Sequence, residues 1–159
     1  MGQTTSAEIS HLDHQVPRTR HIRFKTRGAS LGLTATRTDR LVSQIEAGLP
    51  FKALETLAAL SSLSVPLIAS TLGIPERTLA RRKAAGRFAP DESERLLRMS
   101  TLFEKAVELF DGDVTAAVTW LTSPKRALGG HTPLAYSRTE LTAREVENLI
   151  GRLEDGVFS

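Results

Sequence analysis

Three features of the sequence predict an all-α protein. From Thr38 onward, apolar residues recur at three- and four-residue spacing in one segment after another, the period of a helix with one buried face. Aromatic residues are sparse, 6 Phe, 1 Trp and 1 Tyr in 159 residues, so the core must be built mainly from Leu, Val, Ile and Ala. The stretch from Val65 to Arg87 reads as a short apolar helix, a tight turn at Gly73 and a second helix rich in Arg and Lys, the outline of a helix-turn-helix. The length allows one medium domain or two small ones, each able to bury a core.

Composition excludes several chemistries. With 0 Cys there is no disulfide, thiolate metal site or cysteine nucleophile. No segment reaches the 18 or more apolar residues of a membrane span, and the start lacks a signal-peptide core, so a cytoplasmic protein with no membrane partner is expected. The net charge of +3 is unevenly spread. Residues 1 to 90 hold 13 Lys/Arg and 6 Asp/Glu, and residues 91 to 159 hold 8 and 12, a basic front of +7 and an acidic back of −4. The front suits phosphate, whereas the back cannot owe its affinity to a polyanion.

Residues 1–34 show little apolar periodicity and are read as a basic, mobile arm. In Arg18-Thr19-Arg20-His21-Ile22-Arg23-Phe24-Lys25-Thr26-Arg27, an extended backbone would place Arg23, Lys25 and Arg27 on one face. A solvated tail, or a strand pairing in a dimer, is the plainer interpretation; a DNA-backbone or minor-groove arm is the other. His11 and His14 are too few to make a metal site, and no metal or cofactor is expected.

Residues 35–89 form the predicted helix-turn-helix domain. Leu41, Val42, Ile45 and Leu49 carry its first helix, with Gly48 as the stop. Pro50 starts the second, whose apolar side is Phe51, Leu54, Leu57, Ala58 and Leu60. Ser61 to Ser64 connects to a third helix opened by Pro66, in which Leu67, Ile68 and Leu72 are expected to be buried. Gly73 permits the turn.

The fourth helix can be laid out at 100° per residue from Leu79, its one large apolar residue. Arg77 and Arg81 then lie about 160° and 200° away and Thr78 at about 260°, which makes them the base-facing candidates. Arg82 and Lys83 flank Leu79 at about 300° and 40°, where long stems can lie on the core edge while their heads reach phosphates. Arg bonds guanine in two-pronged fashion and Lys binds phosphate as a point charge. A solvated helix end placed for dipole reasons is the competing interpretation of Arg-Arg-Lys; the Gly-centred turn and the basic front favour DNA.

Residues 90–159 form a second helical unit. Asp91 and Glu94 read as the capping box of a long helix with Leu96, Met99, Leu102, Phe103, Ala106, Val107 and Phe110 as its apolar stripe. After the turn at Asp111-Gly112-Asp113, Asp113 caps a helix with Val114, Ala117, Val118 and Leu121 inward, and Trp120 is most simply a core filler. In Leu128-Gly129-Gly130-His131-Thr132-Pro133, Thr132 caps a helix that Pro133 opens; a structural turn is favoured there over an anion site. Thr142 and Glu145 read as the box of the last helix, which buries Val146, Leu149, Ile150 and Leu153 and stops at Gly156. Val157, Phe158 and Ser159 follow the acidic pair Glu154-Asp155. Caps account for Asp91, Asp113 and Glu145 without catalysis, and no catalytic residue is assigned.

Read together, these residues resemble the Xre/MbcA/ParS antitoxins of bacterial RES-domain toxin–antitoxin pairs. The resemblance rests on Leu72-Gly73-Ile74 with Arg77-Thr78-Leu79-Ala80-Arg81-Arg82, on Glu92-Ser93-Glu94-Arg95-Leu96, and on Trp120-Leu121 with Pro124. It continues through Leu128-Gly129-Gly130 with Thr132-Pro133-Leu134 and Ala143-Arg144-Glu145-Val146-Glu147 to Arg152-Leu153-Glu154-Asp155-Gly156. It implies a non-enzymatic, two-ended repressor without cofactor. Arg77, Thr78, Arg81, Arg82 and Lys83 would bind operator DNA as part of a homodimer. Leu128, Gly129, Gly130 and Glu154, Asp155, Gly156, Val157, Phe158, Ser159 would bind a RES-domain toxin that uses NAD, closing its active-site mouth within a larger hetero-oligomer. The acidic back fits a toxin pocket that accepts the NAD pyrophosphate. The alternative is a stand-alone dimeric helix-turn-helix repressor whose second domain serves only for dimerisation.

Overall fold

Twenty residues rich in Leu and Glu form one uninterrupted helix, Pro90–Leu109, about 30 Å long at the helical rise. It is the fifth of eight among the described residues. In this computed structural model, which describes residues 20–156, the order is α1 Thr38–Ala47, α2 Phe51–Ser61, α3 Val65–Thr71, α4 Glu76–Ala85, α5 Pro90–Leu109, α6 Val114–Leu121, α7 Pro133–Tyr136 and α8 Glu140–Glu154. Short 3-10 turns at Ala29–Leu31 and Arg126–Leu128 complete it. The all-α prediction holds: among the described residues only two isolated bridges, His21 with Asp113 and Pro50 with Arg87, have β geometry. None of these helices is long and apolar enough to cross a membrane.

α5 packs against α1, α6, α8 and the Ala29–Leu31 turn, and α2 against α3, α6 and the same turn. One apolar cluster therefore runs from Leu31 through Leu54, Ile68, Leu96, Leu102 and Val107 to Val146 and Ile150. Residue 90, where the second unit was expected to begin, is the first residue of α5, and that helix belongs to both halves of the core. The α1–α2 turn is pinned to it by Ser93, fully buried, whose Oγ accepts from Leu49 N (2.8 Å) and donates to Ala89 O (2.8 Å). Gly48 sits there at φ 86°, and a Cβ would run into the carbonyl oxygen of Phe88.

The basic arm needs correction from Arg20 onward. Residues 20–34 form a strap along α5 and the start of α6. Ile22 N donates to Gly112 O (2.9 Å), and Val114 N to Arg20 O (3.1 Å). Gly112, at φ 93°, lets the strap approach where a Cβ would stand 2.9 Å from Ile22 O. The alternation read from the sequence is the cause: Ile22, Phe24 and Thr26 turn inward, Phe24 against the Phe103 ring at 5.8 Å, while Arg23, Lys25 and Arg27 share the exposed side. Arg18, Thr19, His11 and His14 lie outside the described residues.

Two helix starts differ from their sequence assignment. α5 begins at Pro90 with Ala89 as N-cap, and Glu92, not Glu94, reaches back to accept from Ala89 N (2.8 Å), so Asp91 is not the cap. α8 begins a turn earlier than expected: Thr139 is the N-cap and accepts from Thr142 N (3.2 Å), which frees Glu145 to accept from Tyr136 Oη (2.6 Å). Asp113 and Thr132 cap as read, accepting from Ala116 N and Ala135 N. Burial departs from periodicity at Leu67 and Val42, both exposed, because α3 and α1 turn only Ile68, Ala69 and Leu41 fully inward. Trp120 is half-buried rather than a core residue, with Lys125 Nζ 5.3 Å over its ring.

Candidate functional site

α4 is the recognition helix of the motif, and its sequence keeps it at the surface. Glu76-Arg77-Thr78-Leu79-Ala80-Arg81-Arg82-Lys83-Ala84-Ala85 contains one large apolar residue, and no residue of the helix is fully buried. Leu79 is half-buried, because an open groove of about 790 Å³ runs beside it, lined by Phe51, Val65, Ala69, Ile74 and Ala80. Before the helix, Gly73 takes φ 71° and Ile74 is buried, which turns the chain; Pro75 is the N-cap and supplies no side-chain bond. Gly86, at φ 78°, closes the helix, donating to Arg82 O and Lys83 O.

Arg77 and Arg81 are exposed on the side away from Leu79, Thr78 is half-buried beside them, and Lys83 is exposed. Neither arginine nor Lys83 takes part in an ion pair among the described residues. The helix thus presents two guanidiniums and an ammonium to solvent, with Asp and Glu limited to Glu76 in its first turn.

Arg82 departs from its sequence assignment as a free phosphate binder. Its Nε donates to Glu92 Oε1 at 2.6 Å, with the Glu92 side chain only 6% exposed. The physical reason is its place about 60° round the helix from Leu79, from which its guanidinium reaches the first turn of α5. The Glu92 carboxylate therefore serves two donors, Arg82 Nε and Ala89 N. From the next turn of α5, Arg95 Nη1 donates to Leu72 O (2.7 Å), the residue capping α3, while its Nη2 pairs with Asp91 Oδ2 at 3.2 Å. Sequence reading missed Glu92 and Arg95. The signal was there in Pro90, which prefers the first helical position and puts Glu92 at the third, where a carboxylate reaches back to the cap.

The second group of assigned residues lies in the turn between α6 and α7 and at the end of α8. Leu128 is 5% exposed and belongs to the core, so its role is to anchor the turn. Gly129 and Gly130, at φ 64° and 85°, are exposed, and the turn is closed by Gly130 N and Leu128 N donating to Lys125 O. Glu154, Asp155 and Gly156 are exposed at the end of α8, and Val157, Phe158 and Ser159 lie outside the described residues. Among the described residues no hydrogen bond joins the glycine turn to Glu154–Gly156. Around the turn stand Trp120 under Lys125 and His131 against Tyr136, ring centroids 5.8 Å apart. No group of three or more metal-ligating side chains occurs among the described residues.

The fold and the basic surface of α4 define a helix-turn-helix protein carrying a second helical unit on a shared long helix. Comparison with known proteins is specific about which. A family model for the antitoxin Xre-like helix-turn-helix domain matches residues 40–100, and one for the antitoxin Xre/MbcA/ParS C-terminal toxin-binding domain matches residues 105–156. The chain is 42% identical to an antitoxin Xre of Yersinia enterocolitica over 130 residues, which is 81% of this chain and 88% of the relative. It is 34% identical to an antitoxin Xre of Photorhabdus laumondii over 131 residues, 82% and 88% of the two chains. One from Pseudomonas putida is 32% identical over 84 residues, 52% of each. The chain belongs to the Xre antitoxin family: an antitoxin of a toxin–antitoxin system, with a DNA-binding motif and a toxin-binding unit. The first matched region ends and the second begins within α5.

Proposed function

We propose that this antitoxin neutralises a RES-domain toxin that uses NAD, by laying its C-terminal region over the toxin's active-site mouth, and that it represses its own operon as a homodimer. The observation that carries the DNA half is the face of α4, where Arg77 and Arg81 are exposed and unpaired among the described residues beside Thr78. In this reading those three side chains read base edges and Lys83 holds a phosphate. Support for the toxin half comes from the resemblance over Trp120 to Gly156 and from the acidic balance of residues 91–159, which suits an electropositive nucleotide pocket. Gly129, Gly130 and the exposed Glu154, Asp155 and Gly156, with Val157, Phe158 and Ser159, are the assigned contacts, and Leu128 holds the turn.

Copurification tests the pairing. The tagged antitoxin, expressed with the adjacent open reading frame, is expected to bring down a stoichiometric RES-type partner and to restore growth that this partner alone arrests. A clean homodimer without partner would instead support a stand-alone repressor.

A further inference from the structure

We infer that Glu92 is a positioning residue for DNA recognition: through Arg82 it sets the orientation of the recognition helix, and Arg82 serves this latch rather than a phosphate. The inference rests on the reading of α4 as the operator-binding helix.

Core packing is a weak constraint on α4. No residue of the helix is fully buried, Leu79 borders an open groove, and the Pro75 cap contributes no side-chain bond. A helix held this loosely can tilt about its own axis, and a tilt of that kind moves Arg77 and Arg81 relative to the base edges they must meet. Polar bonds restrain it at two places: at its C-terminal end Phe51 N donates to Gly86 O at 2.9 Å, and along its flank it is held by α5. Glu92 Oε1 accepts from Arg82 Nε at 2.6 Å and from Ala89 N at 2.8 Å, and the carboxylate is buried, so the bond is charge-assisted and little screened. Arg95 Nη1, one turn on, fixes the preceding helix through Leu72 O at 2.7 Å. α5 thus grips both helices of the motif, one by a carboxylate and one by a guanidinium. With Nε committed to Glu92, Arg82 is directed at α5, about 100° round the helix from Arg81 and about 140° from Arg77.

Glu92→Gln gives the two accounts opposite signs. By charge alone, losing a negative group next to a DNA-binding helix tightens binding to every duplex. Loss of the latch instead lowers the preference for operator over other DNA. The probes are a duplex of the DNA immediately upstream of this gene and a scrambled duplex of the same composition, titrated with the full chain across a salt series. Glu92→Gln is expected to lower the preference about tenfold, without weakening binding to the scrambled duplex. Arg82→Gln, a more exposed site that tests the same bond should Glu92→Gln fail to fold, is expected to lower the preference similarly and to leave the slope of log affinity against log salt at its wild-type value. An unchanged or raised preference in Glu92→Gln overturns the inference. So does a slope reduced by about 0.9 in Arg82→Gln with preference intact, the signature of a lost phosphate contact. If the wild-type chain shows no preference between the two duplexes, the operator reading fails, and the inference with it.

Discussion

Ser30 and Glu104, separated by 74 positions, are joined twice inside the protein: Glu104 Oε1 accepts from Ser30 N at 2.9 Å and from Ser30 Oγ at 2.8 Å. Its other oxygen accepts from Gly28 N at 3.2 Å. A carboxylate this far buried is retained only with such partners, and these partners are what turn part of the expected arm into a strap. Glu104→Ala leaves two buried amides without an acceptor and is expected to cost about 3 kcal/mol, lowering the melting temperature by roughly 10 °C; Ser30→Ala is expected to cost about 1 kcal/mol. Thermal and urea unfolding measure both. A loss below about 0.5 kcal/mol in Glu104→Ala would show that the strap is not held this way.

Gly48→Ala combines a positive φ with a collision against the Phe88 carbonyl. We expect destabilisation of about 3 kcal/mol, against near neutrality for Ala at the unobstructed helical Gly151. Urea midpoints for the two variants check the contrast.

For the DNA face, Arg77→Ala with Arg81→Ala is expected to abolish operator preference, each arginine contributing about 1–3 kcal/mol of discrimination. Lys83→Ala is expected to weaken all duplexes alike and to reduce the salt slope by about 0.9. An unchanged gel-shift ratio between operator and random DNA in the double variant would reject the base-reading assignment.

Deleting residues 156–159 is expected to release toxicity in a co-expression growth assay and to leave DNA affinity at its wild-type value. Full protection after this deletion would sink the blocking mechanism without touching the pairing.

Tyr136 donates to the Glu145 carboxylate, and that bond, with some desolvation and the nearby negative charge, raises its pKa above the usual 10.0. As the chain has 1 Tyr, phenolate absorbance reports this group alone. The midpoint is expected above the ordinary value and to fall toward it in Glu145→Gln. Equal midpoints in the two proteins would mean that the bond does not persist in solution.

By itself the sequence determined the helices, the Gly73 turn, the exposed Arg77 and Arg81, and the division into a basic front and an acidic back. These follow from spacing along one chain: apolar period, turn-compatible glycine, angle around a helix, and charge count. Only the tertiary structure decided where α5 and α8 start, at Ala89 with Glu92 and at Thr139 with Thr142, because neighbouring turns offer competing starts of similar strength. It also decided the fate of Arg20 to Thr34 and of Arg82. In both cases the deciding partner is a buried carboxylate on α5, Glu104 for the strap and Glu92 for the recognition helix, and which residues a buried charge finds across the core is a matter of three-dimensional proximity that no local pattern encodes.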